Sequence, residues 1–273
     1  LGMIRMTLIA GLFGATGLVS AYQIAATVPT MTYDLLVGGM LSSALVPVFS
    51  EYTAARSRRE LARLAGTVLG VASLILVFLV LLIEWFAPQI ARLLGGGFSS
   101  ELLSTATNLI RIAGVALLFL GLSGIVTAIL YSMKRFTLPA FAAAAFNSGI
   151  ILAALLLSRS LGIYSLAIGI VVGSLIQLAI QLPALKGLNI SFRLDLAHSG
   201  LRRIGYLYLP VLVGLLITQV QIAIDRNLAS RTGEQSIAWM ANATTLIQFP
   251  HGLVAVAISL AVLPSLSHFS AQG

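Results

Sequence analysis

Residues 21–52 read AYQIAATVPTMTYDLLVGGMLSSALVPVFSEY. The run is apolar enough to enter a bilayer, yet it carries Gln23, Thr27, Pro29, Thr30, Thr32, Asp34, the Gly38–Gly39 pair and Pro47. Hydrocarbon holds no water to bond freed backbone groups, so breakers are tolerated there only where neighbouring helices or a wet cavity satisfy what they release. Gln23, Thr27, Thr30 and Asp34 stand at i, i+4, i+7 and i+11, which puts all four in one stripe of a helix. Pro29, inside that stripe, removes an N–H and frees a carbonyl. Polar face and breaker point to the same place, a polar interior within a membrane bundle.

The rest of the chain agrees with a membrane setting. Hydrophobic residues make up 59% of the 273, charged residues 9%, and mean hydropathy is +1.03, whereas a soluble domain is about 25% charged. Stretches without Asp, Glu, Lys or Arg cover 6–33, 35–50, 64–83, 112–133, 136–158, 160–185, 204–224 and 235–273. A spanning helix needs about 20 such residues, and only 35–50, divided from its predecessor by Asp34 alone, falls short.

Net charge is +8 and the pI near 10.4, values that would suit a nucleic-acid partner. The distribution of the charge excludes that reading. Alternate connections hold ten basic residues (Arg56, Arg58, Arg59, Arg63, Lys134, Arg135, Lys186, Arg193, Arg202, Arg203) against five (Arg92, Arg111, Arg159, Arg226, Arg231). Such a bias puts the first set and the N-terminus in the cytoplasm and requires 35–50 to cross as well. The expectation is an all-α, polytopic membrane helix bundle of about eight transmembrane helices.

Residues 186–204 form the longest polar interval and read as a cytoplasmic linker. It divides an N-terminal lobe of six helices, 1–185, from the first two helices of a C-terminal lobe, 205–273. Both ends of the chain read as cut, the first helix being the shorter for it.

Two later segments repeat the striped pattern: Thr218, Gln221 and Asp225, then Asn242, Thr245 and Gln248 followed by Pro250. The expected geometry has the first, second, seventh and eighth helices around one central cavity. Gln23, Thr27, Thr30, Asn242, Thr245 and Gln248 are its candidate substrate contacts. An ionisable residue inside a membrane is functional by default, so Asp34 and Asp225 are candidates for coupling to H+ or Na+. Pro29, Gly38, Gly39 and Pro250 are candidates for gating. The alternative for each hydroxyl and amide is interhelical packing, since such groups also hold membrane helices together.

The inventory excludes common enzyme and cofactor chemistry. There is no cysteine, the eight acids form no D-x-x-D, and His198, His251 and His268 have no metal-ligand spacing. Neither a phosphate-binding Gly-rich loop with Lys nor a nucleophile elbow occurs. No cofactor and no metal are expected.

The segments LGMIR, LFGATGLVSAYQIAATVP, GGMLSSALVPVFSEY, FTLPAF, QLPALKG, YLPVLVG, IDRNLAS and QFPHGLVAVAISLAVLPSLS, in this order, resemble the MurJ (MviN) family, the lipid II flippases of bacterial cell-wall synthesis. That resemblance implies membership of the multidrug/oligosaccharidyl-lipid/polysaccharide exporter superfamily, two six-helix lobes around a cavity, and fourteen helices in a complete protein. It implies Arg5 as the cavity cation for a lipid-linked diphosphate. It also implies that Ser20, Tyr33, Asp34, Gly38 and the run 243–246 depart from the family pattern, with most of the expected cavity arginines replaced.

Three functions follow as expectations. The first is translocation of an undecaprenyl-diphosphate-linked peptidoglycan precursor by alternating access, with the bilayer and cell-wall synthesis proteins as partners. The second is a proton- or cation-coupled small-molecule exporter using Asp34. The third is a non-transporting scaffold of the cell envelope.

Overall fold

Apolar segments that cannot rely on water must close their own backbone hydrogen bonds, and this chain closes them as helices. The computed structural model describes residues 1–55, 57–192, 194–248, 250 and 262. Among the described residues there is no strand. Helix α1 is Gly2–Phe13, and α2, Gly17–Tyr33, runs on through two wide π turns, Asp34–Gly38 and Leu41–Leu45, into α3, Val46–Ala55. Then come α4 (Arg58–Leu94), α5 (Ser100–Gly114) and α6 (Ala116–Ser132). They are followed by α7 (Thr137–Leu161), α8 (Tyr164–Gln181, extended by a 3-10 turn Leu182–Leu185) and α9 (Ser199–Thr232). Residues 236–248 form α10.

Six of the resulting helices are long and apolar enough to cross a membrane: Gly17–Ala54, Arg58–Leu94, Ser100–Ser132, Thr137–Leu161, Tyr164–Leu185 and Ser199–Thr232. With the shorter α1 and α10 they make eight rods among the described residues. Most of the eighth expected segment, 235–273, and with it His251 and His268, lies outside the described residues.

The first two rods differ from the sequence expectation. The break falls at Gly14–Thr16, not at Asp34. Gly14 takes φ +66° and its N–H returns to the Ala10 carbonyl, ending α1 in the left-handed way that glycine allows. Asp34 interrupts the apolar composition but not the backbone: it opens a π turn in which the Gly39 N–H bonds the Asp34 carbonyl. The polar stripe of Gln23, Thr27, Thr30 and Asp34 therefore belongs to the second rod. The polar interval 186–204 is helical in its last part. α9 begins at Ser199, with the His198 Nδ1 accepting from the Gly200 N–H at 3.1 Å, so Arg202 and Arg203 are already helical.

Burial separates into two clusters. Ile24 of α2, Leu109 and Ile110 of α5, Leu117 of α6, Ile150 of α7 and Leu166 of α8 centre one. Phe49 of α3, Leu61 and Leu64 of α4, Ile129 and Leu130 of α6, and Ile204 and Tyr208 of α9 centre the other. The helix through α2 and α3 passes from the first cluster into the second across its π turns.

Close packing of α7 on α8 rests on small residues. A Cβ added to Gly149 would stand 2.6 Å from the Gly173 nitrogen, and one added to Gly169 would stand 2.9 Å from the Ile150 Cα. In lipid, where burial of apolar surface drives no association between helices, such backbone proximity supplies the van der Waals attraction. A polar clamp joins α6 to α8. Gln181, fully buried, accepts from the Thr127 hydroxyl at 2.8 Å and donates to the Ser123 oxygen at 2.6 Å, while Gln177 donates to the same oxygen at 3.1 Å. Gln181→Leu leaves Thr127 and Ser123 short of partners. We expect a loss of about 1–2 kcal/mol, read as a lower unfolding temperature in detergent; an unchanged temperature would show the clamp to be dispensable.

Candidate functional site

Helices α1, α2, α7, α8, α9 and α10 enclose a cavity of about 420 Å³. Gly2, Arg5, Met6 and Ile9 of α1 face it, with Tyr22, Gln23, Ala26, Thr27 and Thr30 of α2. Phe146 and Ile150 of α7 and Ile170 of α8 close one wall, and Ala241, Asn242, Thr244, Thr245 and Gln248 of α10 with Arg226 of α9 close another. Arg5, Gln23, Thr27, Thr30, Asn242, Thr245 and Gln248, the substrate-contact candidates of the sequence, all lie on this one surface. The first, second and eighth rods supply them. The fifth and sixth add the three apolar residues, which periodicity does not distinguish from lipid-facing ones.

The coupling and gating candidates lie elsewhere. Asp34 is exposed, one helical turn beyond Thr30, and its Oδ1 stands 3.1 Å from where a Cβ on Gly38 would be. No hydrogen bond or ion pair reaches its carboxylate among the described residues. Gly39 lies against Leu215 of α9, and Pro29 is buried within α2. Asp225, with Thr218 and Gln221, is on an exposed face of α9 and does not line the cavity. Pro250 is exposed. On α9 it is Arg226, one residue and about 100° further around the helix, that turns inward. In the sequence Arg226 counts among the five basic residues of the less basic connections, and only its position one step past the 218–221–225 stripe hints at another face.

Three hydroxyls of the wall are not free donors. Thr27 gives its proton to the Gln23 carbonyl at 2.7 Å, Thr30 to the Ala26 and Thr27 carbonyls at 2.9 Å each, and Thr245 to the Ala241 carbonyl at 2.9 Å. Each of these three presents lone pairs to the cavity, while the donors of the lining are the amides of Gln23, Asn242 and Gln248, the hydroxyls of Tyr22 and Thr244 and the guanidiniums of Arg5 and Arg226. Among the described residues no carboxylate lines the space. Chemically it is an amphipathic chamber with a cationic bias, suited to a polar anion.

Hydrogen bonds fix the α9 and α10 walls to the rest of the bundle. The Asn227 amide donates to the Leu93 carbonyl at 2.7 Å, the Gly97 N–H to the Ser230 oxygen at 3.0 Å and the Ser99 N–H to the Glu234 carboxylate at 3.3 Å. Ser20, fully buried, accepts from the Ala238 N–H at 3.1 Å and so satisfies a first-turn donor of α10. At the opposite end of α9, Arg203 pairs with Glu51 at 2.7 Å, and Arg63 of α4 pairs with Asp195 at 3.3 Å. Exposed pairs of this kind contribute at most about 1 kcal/mol, so this end is held lightly. No group of three or more His, Cys, Asp or Glu able to hold a metal ion occurs among the described residues.

Comparison with known proteins places these features. The family model described as "Lipid II flippase MurJ" matches residues 9–273. A "Probable lipid II flippase MurJ" of Buchnera aphidicola subsp. Acyrthosiphon pisum is 31% identical over 276 residues, covering 98% of this chain and 53% of its own length. The "Lipid II flippase MurJ" of Burkholderia cenocepacia is 30% identical over 278 residues, covering 97% and 54%. Among solved structures, "Lipid II flippase MurJ, inward closed conformation" aligns with a TM-score of 0.84 at 29% identity, over 98% of this chain and 56% of that one. The chain spans about half the length of the curated relatives it matches.

Proposed function

Because the chain belongs to the MurJ lipid II flippase family, we propose that the protein carries a lipid-linked glycan, the undecaprenyl-diphosphate-linked peptidoglycan precursor, across the cytoplasmic membrane by alternating access. The observation that carries this reading is the cavity: Arg5 and six polar side chains converge on it, and among the described residues no carboxylate does. A diphosphate needs charge-assisted donors, and the sugar hydroxyls that follow it can donate to the threonine oxygens. The prenyl tail remains in lipid. The act is transport, not bond-making. The division into lobes at 186–204 assigns α1–α8 to one rocking unit and α9 with α10 to the next, with Pro29, Gly38, Gly39 and Pro250 as the places where the helices yield. The lysine and arginine bias puts the N-terminus and the Arg203 end of α9 in the cytoplasm. Cell-wall synthesis proteins are the natural partners of such an activity.

The experiment is complementation. The reading frame that contains this chain, expressed in a bacterium depleted of its own lipid II flippase, is expected to restore growth. A well-expressed protein that does not would sink the substrate assignment in favour of the exporter reading or the scaffold reading.

Asp34 is the proposed coupling group, on the strength of an unpaired carboxylate in a spanning helix. Asp34→Asn can neither take up nor release an ion. In proteoliposomes it is expected to slow flipping about tenfold, or about 1.4 kcal/mol, under an imposed H+ or Na+ gradient, and to leave the gradient-free rate unchanged. Equal slowing in both conditions would remove the coupling role.

A further inference from the structure

We infer that Arg226 is a second anion-binding side chain of the cavity and grips, together with Arg5, the two phosphates of one bound diphosphate. The inference rests on the proposed function and adds to it a preference for diphosphate over monophosphate lipids. Arg5 reaches the cavity from α1 and Arg226 from α9, so the bound anion ties the first lobe to the start of the second.

Three observations support it. The Arg226 Nη1 is buried and has no hydrogen-bond partner among the described residues. A buried donor left unmade is costly, and this one is found in the wall of a cavity rather than against protein acceptors. Asp225, its neighbour in sequence, is exposed and does not line the cavity, and no ion pair joins the two among the described residues. The backbone that carries Arg226 is also fixed from the next residue on. Asn227 bonds Leu93, Arg231 donates its Nε–H to the Asn227 Oδ1 at 3.0 Å, and Ser230 accepts from Gly97. The helix position that carries Arg226 is thereby set beside the cavity before any ligand arrives.

The ligand follows from donor arithmetic. The protons of Thr27, Thr30 and Thr245 are committed to the helix backbone, so phosphate oxygens in this space are met chiefly by guanidiniums and amides. Each guanidinium fork can take one phosphate of a diphosphate in bidentate fashion, whereas on a monophosphate the two forks must crowd onto three oxygens of one group. A diphosphate therefore uses the pair more fully than a monophosphate headgroup does.

The test is binding of undecaprenyl diphosphate and of undecaprenyl phosphate to the purified full chain, for the wild type, Arg226→Gln, Arg226→Lys, Arg5→Gln and the double glutamine variant, each first shown to melt as the wild type does. Arg226→Gln is expected to weaken diphosphate binding about 10- to 100-fold, to change monophosphate binding far less, and to flatten the salt dependence. Arg226→Lys, which keeps the charge without the fork, is expected to recover part of the loss. The two glutamine substitutions should be non-additive, because both act on one ligand. If Arg226→Gln binds diphosphate as tightly as the wild type while Arg5→Gln does not, Arg226 is no contact and the flippase reading stands. If Arg226→Gln loses both lipids equally, the diphosphate preference is overturned. A wild-type chain that binds neither lipid would defeat the flippase reading itself, and this inference with it.

Discussion

Arg5→Ala is expected to abolish rescue of a flippase-depleted bacterium while the protein remains folded and in the membrane. Arg5 stands on α1, a 12-residue helix, and no hydrogen bond or ion pair to its guanidinium occurs among the described residues. Its removal therefore costs little stability, on the order of 0.5 kcal/mol for a substitution that breaks no packing. Its loss from an anion site is another matter: a charge-assisted contact contributes about 3 kcal/mol, which is more than about 100-fold in affinity. Arg5→Lys keeps the charge without the planar fork and should rescue in part. Thr27→Ala, on the facing wall, supplies the contrast. The Thr27 hydroxyl already spends its proton on the Gln23 carbonyl, so its deletion takes away an acceptor and is expected to cost less than about 1 kcal/mol. Growth curves across an induction series, with membrane levels measured alongside, would separate the two. Full rescue by Arg5→Ala would end the assignment of the diphosphate to this cavity.

Gly149→Leu is expected to prevent the packing of α7 on α8. The side chain would begin 2.6 Å from the Gly173 nitrogen, and backbone cannot swing aside as a flexible side-chain end can. Overpacking typically costs about 1–3 kcal/mol; here the only relief is to push α7 off α8, which forfeits the contact along both helices, so the upper end of that range or beyond is expected. Gly149→Ala should show a smaller loss of the same sign. Monodisperse yield in detergent and the unfolding temperature report both. A Gly149→Leu protein that purifies and melts as the wild type would show that α7 and α8 do not pack as described.

Much of the site was legible in the sequence because polar residues are conspicuous in so apolar a chain. Gln23, Thr27 and Thr30, like Asn242, Thr245 and Gln248, announce themselves by recurring on one face of a helix. Phe146, Ile150 and Ile170 do not, since an apolar residue looks alike whether it meets lipid, a neighbour or a cavity. Arg226 was hidden for a different reason: beside Asp225 it reads as half of an interfacial pair, and only the pitch of α9 shows that the two point apart. The rods were legible from the spacing of charges, yet their ends were not. Charge-free length placed a boundary at Asp34, where the backbone continues, and passed over Gly14, where it stops, because a hydropathy count registers polarity and not the torsion angle of a glycine.

The two π turns between Asp34 and Leu45 have a bearing on how this helix is compared with its relatives. A π turn closes i→i+5 instead of i→i+4 and so holds one more residue than the α turn it replaces. In hereditary terms each is a single-residue insertion that the helix absorbed instead of expelling into a loop. A relative without them would superpose on α2 and on α3 only if its alignment opened a gap between the two. Matched without that gap, every side chain past Leu45 would be assigned to a residue two positions, about 200°, away around the helix, and a packing residue would be mistaken for one that faces lipid.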